Sequence, residues 1–147
     1  MFFAFQVARE IAEKYRTSDP FQLADFLHIQ VRHEILPPHI GGFYTKVYEY
    51  AYIVINSEKP AAWKRAIAAH ELGHAILHES GHVFLAYDFA TQGKLEREAN
   101  QFAAALLIGD ERPYESETIY DFSKRICVPV EFVQYLQREF FYRIKGG

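Results

Sequence analysis

The sequence lacks several features that would assign it to particular classes of protein. Its 147 residues include a single cysteine, Cys127, so an internal disulfide and a zinc site made only of thiolates are both excluded. We expect that cysteine to be a small buried apolar residue, in a chain that works in the reducing cytoplasm. Basic residues are not in excess, because the formal net charge is -3. This argues against direct binding of nucleic acid.

Long apolar runs are also missing. Residues 2–5 are mostly apolar, but Glu10 and Glu13 soon follow them and no basic leader precedes them. We therefore predict an amphipathic helix here and neither a signal peptide nor a membrane span. The length suits one domain, and no repeat or long flexible linker divides residues 1–147. The sequence leaves the oligomeric state open.

The hydrophobic periodicity predicts an α+β fold that is mostly helical. It indicates helices over about 5–15 and 21–27, a strand within 28–36, and a β-hairpin over 43–48 and 50–55. We expect a small antiparallel sheet beside a long helix, which residues 56–60 would cap and which would end near residue 79. A loop over 82–93, a helix over 94–107 and a C-terminal helical hairpin over about 115–143 complete the prediction. The hairpin is more typical of packing than of DNA reading, since its second helix offers only Arg138 as a cation.

The most informative motif is His70-Glu71-Leu72-Gly73-His74, which spells H-E-x-x-H within a predicted helix. Residues four apart on a helix lie about 40° apart around its axis, so both imidazoles can reach one zinc ion. Glu71 lies roughly 100° round from His70, where it can take a proton from a water instead of binding the metal. The motif predicts one zinc ion per chain and a hydrolase, with a peptide bond as the favoured substrate.

A zinc hydrolase needs a third protein ligand. The longer pattern H-E-x-x-H-x-x-G-x-x-H fails, because Leu77 and Ser80 occupy its last two fixed positions. Glu96 is the better candidate, since it lies at the edge of the apolar stripe on the next helix. Asn100, one turn further on, is placed to orient a ligand through a hydrogen bond. Glu98, at the opposite edge of the stripe, is the alternative ligand.

Residues 69–78 and 96–107 together resemble the ImmA/IrrE-type metallopeptidases, as do residues 20–24, 52–56 and 122–132. The resemblance implies a gluzincin-like site in which His70, His74 and Glu96 bind the metal and Glu71 is the catalytic base. It also implies a gene of a phage, mobile element or stress locus. Members of that family typically cleave a helix-turn-helix repressor, so a transcriptional repressor is the expected protein partner.

Three functions remain in competition at this point: a zinc endopeptidase acting on a regulatory protein, a metal-containing module that binds a partner without cleaving it, and a DNA-binding regulator with a structural zinc. We favour the first. His78 would line the cleft or support a ligand. The strand 50–55 would be either a sheet edge that receives substrate or a core strand. Spacing does not select the group that stabilises the transition state; the candidates are Tyr44, Tyr48, Tyr50, Tyr52, His39 and His82.

Overall fold

Helices form most of the fold and a small sheet completes it. The computed structural model describes residues 3–78 and 89–135, and the side chains of 3–78 and 93–135. The elements, in chain order, are α1 (Phe3–Tyr15), α2 (Pro20–Phe26), β1 (Ile29–Glu34), β2 (Gly42–Val47), β3 (Tyr50–Asn56), α3 (Ala61–Leu77), α4 (Phe89–Ile108) and α5 (Ile119–Ile126). Residues 130–135 are also helical. The α+β prediction is confirmed, and none of the described helices is long and apolar enough to cross a membrane.

The sheet has three strands in the order β1-β3-β2. The predicted hairpin is confirmed, because β2 pairs antiparallel with β3 from Gly42↔Ile55 to Val47↔Tyr50. The sheet is nevertheless mixed and not purely antiparallel, since β1 pairs parallel with the other side of β3. The short connection over residues 35–41 joins the end of β1 to the start of β2 at the same end of the sheet. Those two strands therefore run in opposite directions, which makes β1 parallel to β3.

Asn56 has a different role from the one predicted. Its buried side-chain amide donates to the carbonyl oxygens of Leu36, Pro37 and Ile40 at 3.2, 3.3 and 2.9 Å. It thus holds the 35–41 connection against the end of β3. Helix α3 begins at Ala61 after Pro60, with no side-chain hydrogen bond at its cap. The prediction of a side-chain cap from residues 56–60 is therefore wrong, since the polar side chain there satisfies loop carbonyls instead.

Helix α3 lies at the centre of the fold and carries small residues. It packs against α4, α2, β2 and β3. Ala66, Ala68, Ala69 and Leu72 are buried, and Gly73 lies so close to α4 that an added Cβ would be 3.1 Å from Phe102 Cδ1. This close approach brings the side chains of α3 and α4 together. Helix α4 begins at Phe89, earlier than predicted, so part of the predicted 82–93 loop is helical and the part before residue 89 lies outside the described residues.

The C-terminal region packs onto this core as a helix and a helical segment. The side chain of Thr118 caps α5 by accepting from the backbone N–H of Asp121, so the helix begins later than the predicted residue 115. Phe122, Phe132 and Val133 are buried in the common core. Cys127 ends α5 in the left-handed conformation and is exposed, so the prediction that it is buried is wrong. The hairpin prediction beyond residue 135 lies outside the described residues.

Candidate metal centre

The two histidines of the H-E-x-x-H motif face one carboxylate across the α3–α4 contact. Their Nε2 atoms lie 3.1 Å (His70) and 2.8 Å (His74) from the two oxygens of Glu96. The helical spacing of α3 puts both imidazoles on the side that faces α4. The stripe on α4 that buries Ala99, Phe102 and Ala103 places Glu96 at the edge of the interface. The three predicted ligands are therefore brought together.

These three side chains fit a zinc ion. Bonds of 2.0–2.1 Å in a tetrahedral site put ligand atoms about 3.3 Å apart, so the Nε2–oxygen distances need to open by only a few tenths of an ångström. Two nitrogens and one carboxylate oxygen are also the donors that catalytic zinc sites use. The side chain of His74 is 4% exposed, whereas that of Glu96 is 56% exposed. In the part of the site that the structure describes, the α3 side is therefore buried and the side at Glu96 is exposed to solvent. A water or a substrate can reach the site from the exposed side.

Two carboxylates compete for the third position, because Glu71 also lies beside the histidines. The nitrogen and oxygen donors of His70, Glu71 and His74 all lie within 4.8 Å of one another. Glu71 Oε1 is 3.8 Å from His70 Nε2, further than either Glu96 contact. Glu96 makes the shorter contacts and makes them to both imidazoles. Both carboxylates therefore lie beside the two histidines, and Glu96 makes the shorter contacts with them.

Glu71 is a buried carboxylate with a raised pKa. Burial is the largest cause, since it penalises the charged form, while His70, His74 and the backbone N–H of Tyr44, which donates to the carboxylate, act in the opposite direction. Glu96 differs: hydrogen bonds from both imidazoles hold its pKa well below the usual range. For His70, burial lowers the pKa, but the hydrogen bond to Glu96 and the charge of Glu71 outweigh burial and raise it. The pKa of Glu71 is thus raised and the pKa of Glu96 is lowered, although both glutamates lie beside the same two histidines.

His70 is oriented from its other ring nitrogen. Its Nδ1 lies 2.7 Å from Asn100 Oδ1, and the Asn100 amide donates to the hydroxyl of Tyr135 at 2.8 Å. A carbonyl oxygen only accepts, so Nδ1 carries the proton and Nε2 is directed at Glu96. Sequence reasoning identified Asn100 but missed Tyr135. Tyr135 comes from the helical segment 130–135, and no local spacing links it to a side chain 35 residues earlier.

Glu98, the alternative ligand, contacts another histidine. Its Oε2 lies 3.0 Å from His78 Nε2, and His78 Nδ1 lies 3.1 Å from His74 Nδ1. His78 therefore sits between Glu98 and a candidate ligand, which agrees with its predicted supporting position. Burial lowers the pKa of His78.

The candidate transition-state donors are spread over the molecule. Tyr44 pairs with the buried Ile53 on the sheet face that meets the core, and its side chain packs against that core. Tyr52 lies on the other face, where the Arg32 guanidinium is 5.5 Å from the ring centroid. The structure thus keeps Tyr44 near the site and does not bring Tyr52 to it. Of the others, His82 lies outside the described residues, and three are exposed away from the core: His39, Tyr48 and Tyr50.

The sequence is similar to those of known proteins. Residues 24–136 match the profile of the peptidase family Peptidase_M78, described as the IrrE N-terminal-like domain. The chain belongs to this family. A similar protein is the uncharacterized immunity region protein 2 of Bacillus phage phi105, which is 38% identical over 104 residues. The alignment covers 69% of this chain and 66% of that protein, so the chain spans a little under two thirds of the relative's length.

The IrrE-like match includes every residue of the candidate metal centre. It begins within α2 and reaches the segment that supplies Tyr135, so the hydrogen bonds behind the ligands lie inside the family domain. Helix α1 lies before the match and packs on α4. The peptidase assignment therefore concerns the same part of the chain as the His70–Glu96 geometry.

Proposed function

We propose that the chain is a zinc-dependent endopeptidase that hydrolyses a peptide bond in a regulatory protein. The observation that carries the proposal is the pair of Nε2 atoms, from His70 and His74, that share the Glu96 carboxylate while a second, buried carboxylate, Glu71, lies beside them. A structural zinc site uses four protein ligands, whereas the residues that the structure describes offer three ligands and an exposed side at Glu96. A separate buried base beside an open site is typical of hydrolysis.

The chemistry divides between the metal and the chain. Zinc, when bound by His70, His74 and Glu96, would polarise the scissile carbonyl and acidify a water. Glu71 takes the proton of that water on a carboxylate oxygen as the water oxygen bonds to the carbonyl carbon. It then donates the proton to the amine nitrogen as the carbon–nitrogen bond breaks. The burial that raises the pKa of Glu71 makes its carboxylate a stronger base and so favours its uptake of the proton from water.

The edge of the sheet gives the substrate a place to bind. Strand β3 is central, so of the two interpretations of residues 50–55 the core strand is the correct one, and β2 is the edge beside the site. A two-residue turn closes the hairpin at Val47↔Tyr50, so hydrogen-bonded pairs alternate from there and the backbone of Tyr44 points away from β3. That is the backbone whose N–H reaches Glu71. An extended peptide added beside β2 would run past the catalytic base.

The substrate we propose is a helix-turn-helix transcriptional repressor in the cytoplasm of a cell that carries a phage, a mobile element or a stress locus. Two observations support this: the relative is named for a phage immunity region, and the family resemblance implies repressor cleavage. The net charge of -3 favours a protein over DNA as the direct partner. Recognition of one folded repressor would make the enzyme inactive on generic peptides.

The experiment is co-expression with the repressor of the same genome, followed by mass spectrometry of the repressor fragments. We expect cleavage by the wild type, none by Glu71→Gln, and unchanged cleavage by the matched control Glu115→Gln, an exposed glutamate in the turn before α5. Glu71→Gln should keep stoichiometric zinc in elemental analysis, while Glu96→Ala should lose it. Relief of repression by an intact Glu71→Gln protein, with no fragment in any sample, would show a binding module instead of a protease.

A further inference from the structure

A second line of hydrogen bonds supports the site and runs from α3 to α4. His74 Nδ1 lies 3.1 Å from His78 Nδ1, and His78 Nε2 lies 3.0 Å from Glu98 Oε2. The side chain of His78 is 9% exposed and that of Glu98 is 27% exposed, so water competes little for the contact between them. The line begins at a candidate metal ligand and ends at a carboxylate that does not itself touch His70 or His74 within the contacts described above.

The chemistry of the three groups fixes the direction of this line. A carboxylate only accepts hydrogen bonds, so the proton between Glu98 and His78 belongs to His78 Nε2. The Nδ1 atom of His78 is then left as an acceptor, and the facing Nδ1 of His74 must donate. When a metal takes the place of the contact between His74 Nε2 and Glu96, the neutral His74 ring carries its proton on Nδ1, and this is the donor that His78 Nδ1 requires. The metal at one end of the line and the acidic residue at the other therefore favour the same direction.

We propose that Glu98 and His78 are positioning residues that act in series to hold His74 in the tautomer and ring orientation that binds a divalent metal. This inference rests on the metal site of the proposed function. Glu98 is then not an alternative ligand but the start of this line of hydrogen bonds. We call the line, which runs from Glu98 through His78 to His74, the relay. A glutamine at position 98 would not do the same, because its amide can also donate and would permit the opposite direction along the line.

The relay complements the support of the other imidazole. Asn100 and Tyr135 orient His70 in two steps, and Glu98 and His78 orient His74 in two steps. Asn100 and Glu98 both lie on α4, which also carries Glu96, the proposed third ligand. One helix therefore supplies a ligand and the two groups that orient the histidine ligands of α3. Outer partners of this kind change metal affinity by about 10–100-fold when they are removed.

The test is a double-mutant cycle on zinc affinity, measured by competition with a chromophoric chelator in the full chain. Glu98→Ala and His78→Ala should each weaken zinc binding by roughly 10–100-fold. The double variant should bind no more weakly than the weaker single variant, because two groups in series give strongly non-additive effects. Lys94→Ala is the matched control: its ammonium lies 4.0 Å from Glu98 and is exposed, so zinc affinity should not change.

A conservative replacement and a spectroscopic readout separate positioning from general loss of structure. His78→Asn places an acceptor oxygen near the former Nδ1 and should recover most of the affinity lost in His78→Ala. In the zinc-loaded wild type, two-bond ¹H–¹⁵N spectra should show His78 protonated at Nε2 and His74 protonated at Nδ1. In zinc-loaded Glu98→Ala, His78 should show a mixture of tautomers.

Three results would overturn the relay: additive losses in the double variant, wild-type zinc affinity in both single variants, or a His78 proton on Nδ1. A wild-type chain that binds no zinc would overturn both this inference and the proposed function. The reverse separation is also clear. A chain that binds zinc through the relay but leaves every repressor intact would retain the relay and refute only the peptidase.

Discussion

Gly73, inside the H-E-x-x-H motif, sets how closely α3 and α4 approach. A Cβ added there would lie 3.1 Å from Phe102 Cδ1 and 3.2 Å from the carbonyl oxygen of Ala99, tighter than ordinary contact. Phe102 is fully buried, so its neighbours in the core would have to move with it. The same two helices carry His70 and Glu96. A Cβ at Gly73 that pushed the helices apart would therefore also increase the distance between these two side chains.

We therefore predict that Gly73→Ala lowers the free energy of unfolding by about 1 kcal/mol, since overpacking outweighs the gain in helix propensity. Gly73→Val should cost at least about 2 kcal/mol and should also weaken zinc binding. Gly93→Ala is the matched control, because a Cβ there meets nothing within 4 Å, and it should stabilise α4. Urea denaturation measures all three. Equal stabilities of Gly73→Ala and Gly93→Ala would show that the helices separate without cost.

At the scale of elements, local patterns predicted what lies within one helix or one hairpin. The run of residues around the H-E-x-x-H motif predicted α3, although it ends before the expected residue 79, and the stripe on α4 singled out Glu96 and Asn100 as candidate site residues. Patterns missed what depends on the far side of the fold. The parallel pairing of β1 depends on the path of the 35–41 connection, and the bond from Asn100 to Tyr135 spans 35 residues. The role of Asn56 was misjudged for the same reason, because its partners are loop carbonyls and not a helix end.

The C-terminal end of α5 offers a stabilising change. Cys127 adopts φ 58 and ψ 42, a left-handed conformation that glycine adopts without steric cost. Cys127→Gly should raise the free energy of unfolding by about 1 kcal/mol. Cys127→Ala is the control, since it removes the same thiol and keeps the strained backbone, and it should give no gain. Identical denaturation midpoints for the two variants would exclude the backbone explanation.

A paired charge ties α5 to the turn that precedes it. The Arg125 guanidinium donates to both oxygens of Glu117 at 2.9 Å, and this lowers the pKa of Glu117 below its ordinary value of 4.5. A carboxyl with a depressed folded-state pKa stabilises the fold above its unfolded pKa and loses that effect as the pH falls through the folded value.

Glu117→Gln should therefore lower the melting temperature at neutral pH, and its difference from the wild type should shrink as the pH falls below 4.5. Glu115→Gln, a change at a nearby exposed glutamate, should leave the melting temperature unchanged throughout. Thermal melts followed by circular dichroism across this pH range provide the measurement. A difference between Glu117→Gln and the wild type that stayed constant at acidic pH would assign the effect to packing and not to charge.

At the scale of the whole molecule, one apolar cluster forms the core, and the candidate ligands are not among its members. Buried apolar residues from α1, α2, β1, β3, α3, α4 and α5 form one cluster, and no buried side-chain polar atom of the described residues lacks a hydrogen-bond partner. The candidate ligands join only α3 and α4, which already pack through Gly73 and Phe102. Zinc would thus add to a complete fold, unlike in small domains that are unfolded without it.

We predict that a chelator leaves the circular dichroism spectrum of the folded chain unchanged but lowers its thermal stability. Binding of zinc only to the native state adds about 2.7 kcal/mol at a free concentration 100 times the dissociation constant, which corresponds to roughly 5–15 °C in melting temperature. Glu71→Gln should keep this zinc-dependent rise, because Glu71 is not one of the proposed ligands, whereas Glu96→Ala should lose most of it. Loss of helical signal on chelation would place the metal among the determinants of the fold, and an equal rise in Glu96→Ala would exclude that carboxylate as the third ligand.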